Sequence, residues 1–194
     1  MKKVKMLIFI LVAIGFVLLP FPASDLYIRI HFAEIAGNDC GLYYTTKDQP
    51  VFSQEQYIPA PIDHEKKSVS FCLDGSLENK LTGLRLDFAN QSDLVQIKSI
   101  TLSSAGVVQK EYNPCVFFAE ENVTHINQAE IIRIPSRNRV CISTSDNDPY
   151  VIFSDGLVGA IKKHYSHMII SRICVCLFIA GCYLMAKKHI FTHK

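Results

Sequence analysis

Two short stretches of this chain hold the side chains best suited to chemistry. In "GLRLDF", residues 83–88, Arg85 and Asp87 stand two apart and share one face of an extended backbone, while Leu84, Leu86 and Phe88 take the other. In "SDNDPY", residues 145–150, Asp146, Asn147 and Asp148 offer hard oxygen atoms beside Tyr150, whose flat body and polar tip suit a half-wet contact with a sugar ring. Arg85, Asp87, Asp146, Asp148 and Tyr150 are therefore the candidate ligand-binding residues. The acidic stretch lacks the glycine and distal glutamate of a calcium-binding EF-hand, and Asn, Asp and Pro make turns without any ion, so no metal site is expected. Asp148 before Pro149 is held out of the helical region and proline fixes its own φ, which predicts a rigid corner leading into a strand at Tyr150. Tyr27, Tyr43, Tyr44 and Tyr57 either stack on a ligand or pack under loops.

The other reactive side chains are dispersed. Glu34, Asp63, Glu120 and Glu121, with Asp146 and Asp148, include carboxylate pairs, but glycoside hydrolysis needs two at a set separation, which spacing in sequence does not supply. There is no serine elbow, glycine-rich phosphate loop or zinc-protease helix motif, and His31, His64 and His125 are scattered, so neither catalysis nor a cofactor is expected. Cys40, Cys72, Cys115 and Cys141 form an even set compatible with two disulfides in an oxidising compartment, with three pairings open. Cys174, Cys176 and Cys182 fall in an apolar run and read as small apolar residues.

The elements that must position these residues read as strands. "DLYIRIHF", "SVSFCL", "GLRLDF", "VQIKSITL", "EIIRIP", "RVCIST" and "YVIF" alternate or run apolar, separated by Gly, Asn, Asp, Pro and Ser clusters. Many short strands with no convincing helix predict a mainly β protein, an antiparallel β-sandwich of jelly-roll-like type. Leu84, Leu86 and Phe88 are expected inside, "ANQSD" at a turn, and Val95, Ile97 and Ile100 inside again, the step from Ile97 to Ile100 marking a bulge.

Apolar segments flank this middle. Lys2, Lys3 and Lys5 precede an unbroken run from Met6 to Leu19, an export signal whose poor small-residue cleavage pattern favours an uncleaved anchor over residues 1–24. Residues 168–186 supply 19 positions, about 28 Å of helix, followed by Lys187 and Lys188. The positive-inside rule keeps both basic ends in the cytoplasm and the middle outside. The expected organisation is a signal-anchor at 1–24, an extracytoplasmic sandwich at 25–160, a juxtamembrane linker at 161–167, a transmembrane helix at 168–186 and a cytoplasmic tail at 187–194. Within 25–161 there are 11 basic and 18 acidic residues, a balance of −7, which excludes nucleic acid as a partner.

"LTGLRLDFANQSDLVQIKSITL" and the downstream "STSDNDPYVIF" resemble the extracytoplasmic β-sandwich, similar to carbohydrate-binding modules, of large bacterial membrane proteins in surface-polysaccharide and glycosyl-transfer systems. The resemblance covers roughly residues 25–155, with Phe88 where that family often has proline. It implies a membrane-anchored accessory module of the cell envelope. Its partners would be envelope glycan or a multi-span membrane glycosyltransferase, and it would carry no catalytic machinery of its own. The alternative is a structural or assembly protein of a membrane complex that binds protein in place of sugar.

Overall fold

The computed structural model describes residues 23–34, 39–88, 94–145 and 148–166. The expected span at 168–186, the cytoplasmic tail, most of the N-terminal anchor, the "ANQSD" turn and Asp146 lie outside those residues. No helix among the described residues is long and apolar enough to cross a membrane.

The described residues from Ala23 to Ser166 form one compact, mainly β unit of two antiparallel sheets. Its strands are β1 (Leu26–Glu34), β2 (Asp39–Thr46), β3 (Tyr57–Pro61), β4 (Ser68–Leu73), β5 (Leu81–Phe88), β6 (Leu94–Ser104), β7 (Val107–Tyr112), β8 (Val123–Asn127), β9 (Ala129–Ile134), β10 (Arg139–Thr144) and β11 (Tyr150–Phe153). One sheet runs β4-β1-β6-β10-β9, with β7 also paired to β6; the other runs β3-β2-β5-β11-β8. The seven stretches read as strands are all strands. β2, β3, β7 and β8 were not among them, because their apolar residues do not alternate cleanly.

Strand periodicity builds the core. Leu26, Ile28, Ile30 and Phe32 of β1 are buried on one side of the first sheet, and Leu84, Leu86 and Phe88 of β5 on one side of the second. A void of about 10 Å³ touched by Ile28 and Phe71 from one sheet and Leu42 and Leu86 from the other marks where the two faces meet, consistent with a β-sandwich. The bulge expected near Ile97 is present: opposite β6, the register of β1 slips between His31, which faces Ser99, and Phe32, which faces Ile97. Ile97 and Ile100 are thereby both fully buried. β5 and β6, consecutive in sequence, belong to different sheets, so the chain crosses the sandwich between them.

Two helices depart from the all-strand expectation. α1 (Pro114–Phe117) is capped by the Asn113 side chain and starts on proline, a strong local start signal. It delivers Phe117 and Phe118 against Phe153, with ring centroids 5.2 and 5.6 Å away. α2 (Asp155–Lys162) is capped by Ser154 and buries Leu157, Val158 and Ile161, one apolar stripe at helical spacing. The eight-residue pattern is too short to stand out in sequence. As a result residues 161–166, expected as a linker, belong to the domain: Ile161 and Tyr165 are buried, Lys162 Nζ donates to the Leu81 carbonyl at 3.0 Å, and the Tyr165 hydroxyl donates to the Asp74 carbonyl at 3.3 Å.

Both ends of the unit meet at one point. Ser24 N donates to the Ser166 carbonyl at 2.9 Å. The buried Ser104 hydroxyl joins them, donating to the Ser24 carbonyl at 3.2 Å and accepting from Ser166 N at 3.1 Å.

Candidate functional site

The outer face of the β3-β2-β5-β11-β8 sheet gathers most of the candidate residues, and strand register is what gathers them. Tyr43 stands opposite Tyr57 on one side and Arg85 on the other, so these three side chains lie abreast on neighbouring strands. One pleat further along, Asp87 stands opposite both Gly41 and Tyr150. The inward positions of the same strands are Leu42, Leu84, Leu86 and Val151, all buried. Alternation with period two thus fixes both the core and the polar face.

Arg85 is the centre of the cluster. Its Nε donates to Asp87 Oδ1 and its terminal nitrogen to Asp87 Oδ2, both at 2.7 Å, a forked charge-assisted pair. The terminal nitrogen also donates to Asp148 Oδ1 at 3.1 Å. The guanidinium carbon lies 3.7 Å from the Tyr150 ring centroid and 4.9 Å from that of Tyr43, within cation–π range of both. Tyr43 stacks at a tilt on Tyr57, 4.5 Å between centroids, and its hydroxyl accepts from Gln54 Nε2 at 2.8 Å.

Burial divides the two acids. The side chains of Arg85 and Asp87 are each 18 % exposed, and that of Asp148 is 61 % exposed. Burial pushes the Asp87 carboxyl up from its ordinary value, against the downward pull of Arg85. Burial also works against the Arg85 charge, but the Asp87 carboxylate and the neighbouring Asp148 outweigh it and hold the guanidinium firmly protonated. The Tyr57 hydroxyl is likewise raised, chiefly by burial.

Beside this cluster opens a cleft of about 180 Å³ lined by Asp39, Cys40, Gly41, Tyr57, Asp87, Phe88 and Asp148. Gly41 makes it possible: a methyl group there would collide with the Tyr57 ring, so only a glycine lets that ring lie across the β2 backbone. Asp148 enters from the corner before β11. Its N–H donates to Gln128 Oε1 at 3.0 Å and its carbonyl accepts from Asn127 Nδ2 at 2.7 Å, while the Pro149 carbonyl accepts from Phe88 N at 3.0 Å. The backbone of the corner is therefore held without its carboxylate, which is left to face Arg85 and the cleft.

Arg85, Asp87, Asp148 and Tyr150 come together as a group, and Asp146 lies outside the described residues. Of the four tyrosines expected either to stack on a ligand or to pack under loops, Tyr43 and Tyr57 lie in the cluster, Tyr44 turns inward against the core and Tyr27 is exposed on the other sheet. Asp39 and Gly41 were missed. The signal that could have found them is the run "DCGLYY", where a glycine faces outward between an acid and a tyrosine.

Other candidates stay apart. Asp63 pairs with Lys66, Glu34 accepts from Gln96, and Glu120 lies 3.5 Å from Arg133. No group of three His, Cys, Asp or Glu side chains among the described residues is placed to hold a metal ion. No disulfide joins any two of Cys40, Cys72, Cys115 and Cys141. Cys72 on β4 and Cys141 on β10 are separated by β1 and β6, about 14 Å at the spacing of strands in a sheet, too far for a bridge. Cys115 Sγ donates to the Arg139 carbonyl at 3.2 Å. Compared with protein-family models, with curated proteins and with solved structures, the chain matches none, so the functional reading rests on the geometry of this cleft.

Proposed function

We propose that this chain is a membrane-anchored accessory module of the cell envelope whose jelly-roll-like sandwich, outside the cytoplasm, binds glycan through the outer face of β2, β5 and β11. It would hold glycan for, or present it to, a partner membrane glycosyltransferase of surface-polysaccharide synthesis, with no catalytic step of its own. The observation that carries this reading is the cleft itself, where the Tyr57 ring lies over the Gly41 backbone beside Asp39, Asp87 and Asp148. An aromatic body offers a sugar's apolar face a surface, and fixed carboxylates accept from its hydroxyls. The Arg85 fork keeps the Asp87 carboxylate in place and a third bond reaches Asp148, the pre-organisation that weak polar binding needs.

The test is binding of the full-length chain to an array of bacterial envelope glycans, with Tyr57→Ala as the paired variant. Binding that Tyr57→Ala abolishes is the expected result, and the absence of any glycan binding would refute the reading. The anchored topology has its own test: a reporter active only outside the cytoplasm should be active when inserted at the exposed turn residue Glu65 and silent when fused after Lys194. Activity at both positions would overturn the two-span arrangement. A second reading, a structural protein that binds protein, is favoured by the exposed Val107 and Val108 on β7, which pairs β6 alone. It predicts capture of a protein partner that Val108→Lys abolishes and Tyr57→Ala leaves intact.

A further inference from the structure

The cleft is unbalanced in charge. Three carboxylates, those of Asp39, Asp87 and Asp148, line it, and among the described residues no lysine or arginine does. The guanidinium beside them, Arg85, is turned to Asp87 by two bonds and to Asp148 by a third, so it acts inside the wall and offsets one negative charge of three. Asp148 is largely exposed, leaving its carboxylate open to a second donor, whereas Asp87 already accepts from Arg85 on both oxygens.

Each sugar class meets this wall differently. A uronate or a phosphorylated sugar would bring like charge against carboxylates in a half-buried setting, where repulsion is stronger than in water. A neutral sugar would exchange hydrogen bonds with water for equivalent ones with the protein and gain little. An ammonium group would gain charge-assisted hydrogen bonds that water does not match. The cleft volume, about 180 Å³, lies below the roughly 300 Å³ at which pockets begin to take drug-sized ligands, so it admits a single ring and not a folded chain.

We propose that the cleft of Asp39, Asp148 and Tyr57 selects sugars bearing a free amine, its carboxylates taking the ammonium and the tyrosine the ring. This assignment rests on the glycan-binding reading above and adds the class of sugar. Asp39 and Asp148 are the specificity-determining residues, and Asp87 is the fixed member that holds Arg85.

Calorimetric titration of the full-length chain with short oligomers of glucosamine, N-acetylglucosamine and glucuronate, at a pH that keeps the sugar amine protonated, tests this. Lysine serves as an ammonium without a ring. Glucosamine oligomers should bind about tenfold tighter than their acetylated counterparts, the factor expected of one charge-assisted bond, and added salt should shrink the difference. Asp148→Asn and Asp39→Asn, both conservative in shape, should each erase most of that preference while binding of the acetylated oligomer persists. Equal or tighter binding of the acetylated or glucuronate oligomers would overturn the selection and leave the glycan reading standing. Binding of no oligomer at all would remove both. Lysine binding as tightly as glucosamine would show that the ring contributes nothing and overturn the assignment to sugars.

Discussion

At the residue scale, Arg85, Asp87 and Asp148 share one charged cluster with unequal structural roles. Arg85→Ala leaves the mostly buried Asp87 carboxylate without its counter-ion and should cost about 2 kcal/mol or more in chemical denaturation. Arg85→Lys should recover only part of this, because an ammonium cannot reproduce the fork. Asp148→Asn should change stability by no more than ~0.5 kcal/mol, since that carboxylate is exposed and the corner is held through its backbone. A loss as large as that of Arg85→Ala would mean that the carboxylate builds the corner. Gly41→Ala separates shape from stability: its methyl group meets the movable end of the Tyr57 side chain, so the melting temperature should fall little while glycan binding is lost. Unchanged glycan affinity in that variant would take Tyr57 out of the site. The pairing of Arg85 with Asp87 was legible in sequence because two residues on one strand share a face. The approach of Asp148, 63 positions away, and of Tyr57 depends on register between strands, which a single sequence does not encode legibly.

At the scale of elements, β5 is the strand on which core and site depend together. Leu86 is 1 % exposed, flanked in sequence by Arg85 and Asp87, and Leu86→Asp would bury an unpaired charge between the sheets. The expected cost is several kcal/mol, comparable with the whole stability of a domain, and circular dichroism should show loss of the cooperative transition. A variant as stable as the parent would contradict the inward assignment. Groups on and beside these elements carry the acid response. Burial, with help from Arg29 and Lys110 respectively, holds His31 on β1 and His164 just after α2 below the ordinary imidazole value. The unfolded chain therefore binds protons that the folded one refuses, so stability should fall as pH drops through and below about 6.5, the unperturbed histidine range. His31→Gln and His164→Gln together should flatten that slope in melting experiments, and an unaltered slope would assign it elsewhere. Asp74, held low by hydrogen bonds from Ser76, adds stability that is lost as pH falls through the acid range; Asp87, raised by burial, works in the opposite direction. The strands with clean alternation were readable in advance. α1 and α2 were not, because four and eight residues give helical periodicity too little length to show.

At the scale of the whole molecule, the unit from Ala23 to Ser166 has its own core, and no disulfide joins any two of its four cysteines. A fragment of residues 23–166 should therefore fold alone, melt cooperatively and melt at the same temperature with or without reductant. A clear drop in melting temperature on reduction would reveal a disulfide among these cysteines. The meeting of Ser24 and Ser166 under the Ser104 hydroxyl has a mechanical consequence. Tension applied through the two flanking segments pulls outward from a single point, so it loads the three-serine junction first and meets the hydrogen bonds behind it one after another, as a zipper does, with no strands sheared lengthwise in parallel. Such a junction should yield before the paired sheets beyond it. The domain can be tugged from its base and slacken by a few residues before its cleft is disturbed.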